Sequence, residues 1–407
     1  MQSRGFLKSG HWPSLLGSFL YFDTSFMVWI LLGATSVFVS DELGLNASEK
    51  GLMVAIPILG GSIFRIFTGV LTDRIGAKKT ALLGMSLSMV PLGLLWIAGT
   101  TLTEVYAYGF LLGIAGASFA AALPLASRWY PPQYQGLAMG IAGAGNSGTI
   151  FATLFAPRLS EAFGWHTVFG LAMIPMGLVL LVFALIAKEP PNRPKPKKWS
   201  QYMKVLKVAD AWYLCFFYGI TFGGFVGMAS FLSVFFHDQY GLNRVTAGDF
   251  VTLCVLAGSM VRPVGGWISD RIGGARMLQT LFIAIAVLFI TISLLLPFPL
   301  ETIILFLVMV ALGLGNGAVF QLVPRRFQQE IGVMTGIVGA AGGIGGFFLP
   351  SVLGFLKELT GTFAIGFLTI SMISVVAGAT IRLIGARWSR LSVPEKWTSS
   401  PAMARNR

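Results

Sequence analysis

The chain has 407 residues, 55% of them hydrophobic and only 11% charged, where an ordinary soluble domain is about a quarter charged, so a water-soluble enzyme or binding module is excluded. The formal net charge of +13 would suggest nucleic acid on a soluble protein. Here the basic residues collect in short connectors between apolar runs, where anionic lipid head groups account for them, and no nucleic-acid partner is expected.

Twelve apolar runs come close to the roughly 20 residues that a helix needs to cross a hydrocarbon core. They cover about 15–40, 49–72, 80–99, 103–127, 135–157, 166–188, 211–236, 245–268, 275–297, 301–324, 333–356 and 362–385. The first exceeds the roughly 7–15 residues of a signal-peptide core and is read as a true span. The expected fold is therefore an all-α membrane protein of twelve transmembrane helices. Most connectors are short, but 189–210 carries Pro190, Pro191, Pro194, Pro196 and a cluster of lysines, so it reads as a linker. The expected organisation is a six-helix bundle over 1–188, a cytoplasmic linker over 189–210, a second bundle over 211–385 and a cytoplasmic tail over 386–407. Lys and Arg crowd alternate connectors. Only Lys50, Arg158, Arg244 and Lys357 fall on the other side, so both termini are predicted to be cytoplasmic.

The halves repeat. A shift of 197 residues brings Tyr21 onto Tyr218, Asn46 onto Asn243, Arg65 onto Arg262 and Asp73-Arg74-Ile75-Gly76 onto Asp270-Arg271-Ile272-Gly273. Two parallel six-helix repeats are a transporter design with a substrate site near mid-membrane between them.

In chain order, the first residue of interest is Asp23, about eight residues into the first span and roughly 12 Å deep at 1.5 Å per residue. Arg65 lies at matched depth on the neighbouring span. A carboxylate there is costly alone. One expectation is that Asp23 pairs with Arg65 and exchanges a proton when a substrate displaces it. The other is a fixed hydrogen bond to a facing helix. The second span ends in Gly69-Val-Leu-Thr-Asp73-Arg74-Ile-Gly76, repeated as Gly266-Trp-Ile-Ser-Asp270-Arg271-Ile-Gly273, where glycines are expected to allow close packing and a sharp turn. Asn146 is an amide in mid-span that needs a partner, either a substrate or a neighbouring helix.

Arg65 and Arg262 carry the most information. A charge buried in lipid costs about 2.5–3.5 kcal/mol or more. Two of them at matched depth repel, and an anion between them relieves both. The alternative is that each pairs with an acid of its own. A guanidinium fork meets two oxygens at once and suits a flat, singly charged, non-titrating oxyanion such as nitrate.

The Gly-x-x-x-Asp-Arg-x-Gly loops in both halves resemble the signature of the major facilitator superfamily. The glycine-rich fifth span, Gly136 to Gly148, and the eleventh, with Gly332, Gly336, Gly339, Gly342, Gly343, Gly345 and Gly346, resemble the paired signatures of its nitrate/nitrite porter family. So do Phe19 to Trp29 and Gly313 to Pro324. The resemblance implies that Arg65 and Arg262 clasp the anion, that Phe119 and Phe222 sandwich it, and that Tyr218 and Asn146 complete the shell. Read without it, Phe119 and Phe222 are ordinary packing aromatics. The chain departs from the family in having Ile141 and Ala142 where a second polar residue stands, which implies a thinner polar shell.

The expected function is transport of nitrate or nitrite across the cytoplasmic membrane by alternating access, as nitrate/nitrite exchange or as proton-coupled uptake. The expected partners are nitrate, nitrite, candidate protons and membrane lipids. The protein is expected to act as a monomer, not as an enzyme. The alternative is another small anion such as a short carboxylate. A membrane enzyme or electron carrier needs metal or haem ligands, and the three histidines and two cysteines have no such spacing, so no metal or cofactor is expected.

Overall fold

The computed structural model describes residues 6–191, 205–327 and 331–391, which are helical almost throughout. Span one is α1 (Trp12–Ala34) with α2 (Ser36–Leu43); span two is α3 (Ala47–Ile75); span three is α4 (Ala77–Ile97). Span four is α5 (Leu102–Gly116) with α6 (Phe119–Ser127). Span five is α7 (Pro132–Gly143), a 3₁₀ turn (Ala144–Ser147) and α8 (Gly148–Phe163); span six is α9 (Trp165–Ile186). The second half follows as α10 (Ala209–Tyr240), α11 (Arg244–Met260) with α12 (Arg262–Ile272), α13 (Gly274–Ser293), α14 (Phe298–Arg326), α15 (Ile331–Thr360) and α16 (Ala364–Leu391). Eleven of these spans are long and apolar enough to cross a membrane as they stand. The twelfth crossing is the divided fifth span. The fold is two pseudo-symmetric six-helix bundles. Most of the expected linker and tail, residues 192–204 and 392–407, lies outside the described residues.

Local sequence sets the starts and turns. Asn46 caps α3 in a reciprocal box with Glu49, and its repeat Asn243 caps α11. Gly76 and Gly273 sit at φ of 100° and 91°, where a β-carbon is strained, so both motif loops turn as expected. The Glu189 carboxylate then accepts from the Ala77 and Lys78 amides at 2.7 and 3.0 Å and satisfies the start of α4. Asp73 pairs with Arg128 at 2.9 Å, and Asp270 accepts from Gln321 at 3.1 Å.

Gly69 behaves otherwise than expected, since a β-carbon there would meet nothing. At Gly266 the helices do pack closely, because a β-carbon on Gly317 of α14 would meet the Gly266 backbone. Further close approaches occur earlier on the same helices. Gly60 lies against the Phe110 carbonyl and Gly265 against the Leu314 backbone.

The two halves meet at the end away from these loops. There α3 and α15 run antiparallel along small residues: Gly51 on Pro350 and Gly354, Ile58 on Gly346, Ser62 on Gly343, Arg65 on Gly339. The next step in that register would pair Gly69 with Gly336, and both face open space. The seam is shut from Gly51 to Arg65 and open beyond. Its pseudo-symmetric counterpart joins α11 to α8, with Gly248 on Thr153 and Pro157. The 197-residue shift maps Gly51 onto Gly248, Pro350 onto Thr153 and Gly354 onto Pro157.

Ion pairs at the shut end obey the same symmetry. Asp41, after α1, pairs with Arg244 at 2.6 Å, and its repeat Asp238 pairs with Lys50 at 2.7 Å. Arg158 and Asp249 add a third bridge between the halves at 2.7 Å. Such partly exposed pairs contribute about 0.2–1 kcal/mol each, enough to bias a seal without fixing it.

Replacing Asp41 and Asp238 together by Asn is expected to loosen this end. A cysteine at Ser230, which lies buried against Gly33, should then react faster with a membrane-impermeant maleimide. Unchanged labelling would show that the charge pairs do not hold the seal.

Candidate functional site

The site lies where the seam between the halves passes from shut to open, and three broken spans supply it. Pro263 has no amide hydrogen, so the eighth span breaks at Val261 and Arg262 becomes the first residue of α12. The fourth span tightens at Ala117, whose N–H bonds back to Gly113 and Ile114, so Phe119 begins α6. Asn146 lies within the 3₁₀ turn of the fifth.

Arg65 is 1% exposed. Its Nε donates to the Gly116 carbonyl at 3.0 Å and its Nη1 to the Gly339 carbonyl of the other half at 2.6 Å. Three rings surround its Cζ: Trp29 and Phe222 at 5.1 Å and Phe119 at 5.7 Å. Arg262 is held more lightly. It donates from Nη2 to the Tyr218 hydroxyl at 3.3 Å and lies 5.6 Å from the Phe320 ring. Nη2 of Arg65 and Nη1 of Arg262 are buried donors with no partner in the protein. Tyr218 lies between, stacked on Phe222 at 4.9 Å and within electrostatic reach of both guanidiniums.

Among the described residues no carboxylate bonds or pairs with Arg65 or Arg262. The expected Asp23–Arg65 pair is also absent. Asp23 instead accepts from the Ser147 hydroxyl at 2.7 Å, the fixed bond to a facing helix. The rotation of α1 turns Asp23 toward the fifth span and leaves Phe22, Phe26 and Trp29 on the side of the aromatic cluster. Asn146 is 1% exposed, and neither its amide oxygen nor its nitrogen has a partner in the protein. Arg65, Arg262, Tyr218, Phe119 and Phe222 are therefore brought together, with Asn146 in the span break beside α11. Asp23 is one residue beyond Asn146 in contact but not on the arginines. The motif-loop residues Asp73, Arg74, Asp270 and Arg271 lie at the helix ends, away from this centre.

Two site residues escape sequence reasoning. Trp29 forms a floor under Arg65. Its Nε1 is fixed on the Pro57 carbonyl at 2.7 Å, and Gly61 and Gly116 leave no room for a β-carbon against its ring. Phe320 touches Phe119 at 5.5 Å and Tyr218 at 4.9 Å and so links the rings of both halves. Trp29 stands in the first-span stretch and Phe320 one turn beyond Asn316, but nothing in hydropathy separates them from packing aromatics. The centre combines unpaired N–H groups from two cations with the Tyr218 hydroxyl among aromatic rings, and the unpartnered Asn146 amide lies in the neighbouring span break.

Residues 17–350 match the family described as Major Facilitator Superfamily. The chain is 34% identical over 353 residues to the nitrite extrusion protein of Bacillus subtilis (strain 168), covering 86% of this chain and 89% of that one. It is 35% identical over 358 residues to the probable nitrate transporter NarT of Staphylococcus carnosus (strain TM300), covering 88% and 92%. It is 28% identical to the probable nitrate/nitrite antiporter NarK1 of Thermus thermophilus, covering 88% of each. Among solved structures, the fold resembles a D-xylose–proton symporter (TM-score 0.71, 14% identity, covering 91% of this chain and 97% of that one). It also resembles an inward-facing, occupied bacterial homologue of the lysosomal transporter Spinster (TM-score 0.69, 17% identity, 93% and 97%).

The unequal support of the two arginines can be measured without any ligand. Arg65→Lys gives up at least one of two charged hydrogen bonds to buried carbonyls, whereas Arg262→Lys gives up one long bond to a hydroxyl. Thermal unfolding in detergent should show Arg65→Lys to be the more destabilised by about 1–3 kcal/mol. Equal losses would contradict the asymmetry.

Proposed function

The chain belongs to the Major Facilitator Superfamily and, within it, to the nitrate/nitrite porters, and we propose that it carries nitrate and nitrite across the cell membrane. One observation carries the reading. Arg65 and Arg262 stand on spans long and apolar enough to cross a membrane, with unpaired donors and, among the described residues, no carboxylate bonded to either. Such a centre keeps its positive charge and attracts a monovalent anion. Each guanidinium offers a planar fork to a planar oxyanion. Phe119 and Phe222 wall the anion, Tyr218 and Asn146 supply neutral donors, and Trp29 fixes the height of Arg65. A short carboxylate has less support, because the relatives are named for nitrate and nitrite.

Transport follows by rocking of 1–188 against 211–407 about the anion, with 189–210 as linker and 386–407 as tail. Both termini are cytoplasmic on this reading. The shut end is then the outer one, and the site opens to the cytoplasm. Exposed apolar faces such as Leu185, Leu181 and Leu383 contact lipid. The protein acts as a monomer and catalyses no covalent step. Exchange of nitrate for nitrite is the favoured coupling, because one monovalent anion replaces the other on the arginines and no acid beside them must titrate. Proton-coupled uptake through an Asp23–Arg65 pair loses support, since Asp23 is bonded to Ser147.

In proteoliposomes, Arg65→Lys and Arg262→Lys should each lose most nitrate/nitrite exchange although charge is kept. Near-normal flux in either variant would remove that arginine from the clasp. Closure of the cytoplasmic side continues the α3–α15 seam, so cysteines at Gly69 and Gly336 should cross-link only when the site faces outward and should block transport when joined. Efficient cross-linking with no loss of flux would refute the rocking geometry.

A further inference from the structure

The fifth span and its repeat partner, the eleventh, differ at one place. α15 runs unbroken through 341–344, while the fifth span breaks into a 3₁₀ turn over Ala144–Ser147. Both make the same crossing with the first helix of their half. Gly145 and Gly148 lie against the backbone of Asp23 with no room for a β-carbon. Their repeats Gly342 and Gly345 lie as closely against Tyr218 and Gly219. The close crossing therefore needs glycines only. The first half adds two groups that the second lacks together: Asp23, whose repeat is Ile220, and Asn146, whose repeat is Gly343.

These two groups meet at the turn. The Asp23 carboxylate accepts from the Ser147 hydroxyl at 2.7 Å, with the Gly148 amide also in reach. Its backbone touches Gly145 on the other side of Asn146. The Asn146 side chain has no partner of its own in the protein, so its direction is set by the backbone that carries it. That turn also packs against α11 of the other half, which leads to Arg262.

We propose that Asp23 is a positioning residue for the anion site, holding the 3₁₀ turn through Ser147 so that the Asn146 amide faces the anion that Arg65 and Arg262 bind. The inference rests on the nitrate/nitrite reading for its ligand. A 3₁₀ turn has poorer hydrogen-bond geometry than an α-helix and needs outside support to persist mid-span. A carboxylate with two lone-pair-bearing oxygens supplies it from the neighbouring helix. The same bonds engage its negative charge away from the guanidiniums, so it does not cancel them as an arginine-paired acid would.

The test compares Asp23→Asn, Asp23→Leu, Ser147→Ala and Asn146→Ala in proteoliposomes, reading nitrate KM and maximal exchange rate separately. Asp23→Asn keeps an acceptor oxygen and should stay within about twofold of the wild-type KM. Asp23→Leu should raise KM severalfold, about as far as Asn146→Ala, and the double variant should be no worse than either single one, because both remove the same contact. Ser147→Ala should move KM in the same direction by less. Additive losses in the double variant, an unchanged KM in Asp23→Leu, or equal losses in Asp23→Asn and Asp23→Leu would each overturn the proposal. If Asp23→Leu does not fold, the contrast between Asp23→Asn and Ser147→Ala decides: a Ser147→Ala KM equal to wild type overturns it. A readout that needs no anion separates this proposal from the functional one. A cysteine at Asn146 should change its rate of modification by a small thiol reagent when Asp23→Leu is added, and an unchanged rate overturns the positioning role. Absence of nitrate flux in the wild type would instead refute the functional reading.

Discussion

A guanidinium held in the membrane interior has to be compensated there, and the means chosen for Arg65 shape much of this molecule. A carboxylate partner would satisfy it and also cancel it. Two backbone carbonyls and three aromatic faces support it in part, leaving Nη2 unpaired and the charge in place. That choice imposes others. Gly116 and Gly339 must offer their carbonyls inward, Trp29 must lie flat beneath, and Gly61 must clear its ring. Because Gly339 and Phe222 belong to the second half, the support of Arg65 is itself a joint between the halves. The positive centre and the seam are one construction.

The seam is built for reversibility. Its closest contacts are made at glycines, Gly51, Gly343, Gly346, Gly354 and Gly248, and packing of this kind is cheap to part in lipid, where no hydrophobic effect drives helices together. The charge pairs at the shut end are partly exposed and individually weak. Gly69 and Gly336 continue the register of the seam without touching, which is where the proposed rocking would close it.

Pseudo-symmetry makes the scaffold and asymmetry makes the site. Asn46 and Asn243, Gly51 and Gly248, Asp41 and Asp238, Arg65 and Arg262 occupy matched positions with matched roles. Against that background the unmatched residues stand out. Phe119 repeats as Asn316, Asp23 as Ile220 and Asn146 as Gly343. The two arginines are likewise equal in sequence and unequal in support: one is fixed by two carbonyls, the other held by a single hydroxyl.

Spans, repeat, the matched positions of the arginines and the turn glycines were legible in the sequence, because each is a local or periodic property. A run of apolar residues has to cross, a charge inside it has to be deep, and a glycine after Asp-Arg-Ile has to take a positive φ. The breaks in the fourth, fifth and eighth spans were not read, although Pro263 signalled one of them. Only tertiary structure decided that Asp23 meets Ser147 and not Arg65, that Trp29 and Phe320 join the ring cluster, and that Gly69 stands clear. Those outcomes depend on how each helix is rotated about its axis and which neighbour it faces. In a span apolar on every side, hydropathy carries almost no record of that rotation, and the close approach of backbones at glycines sets it instead.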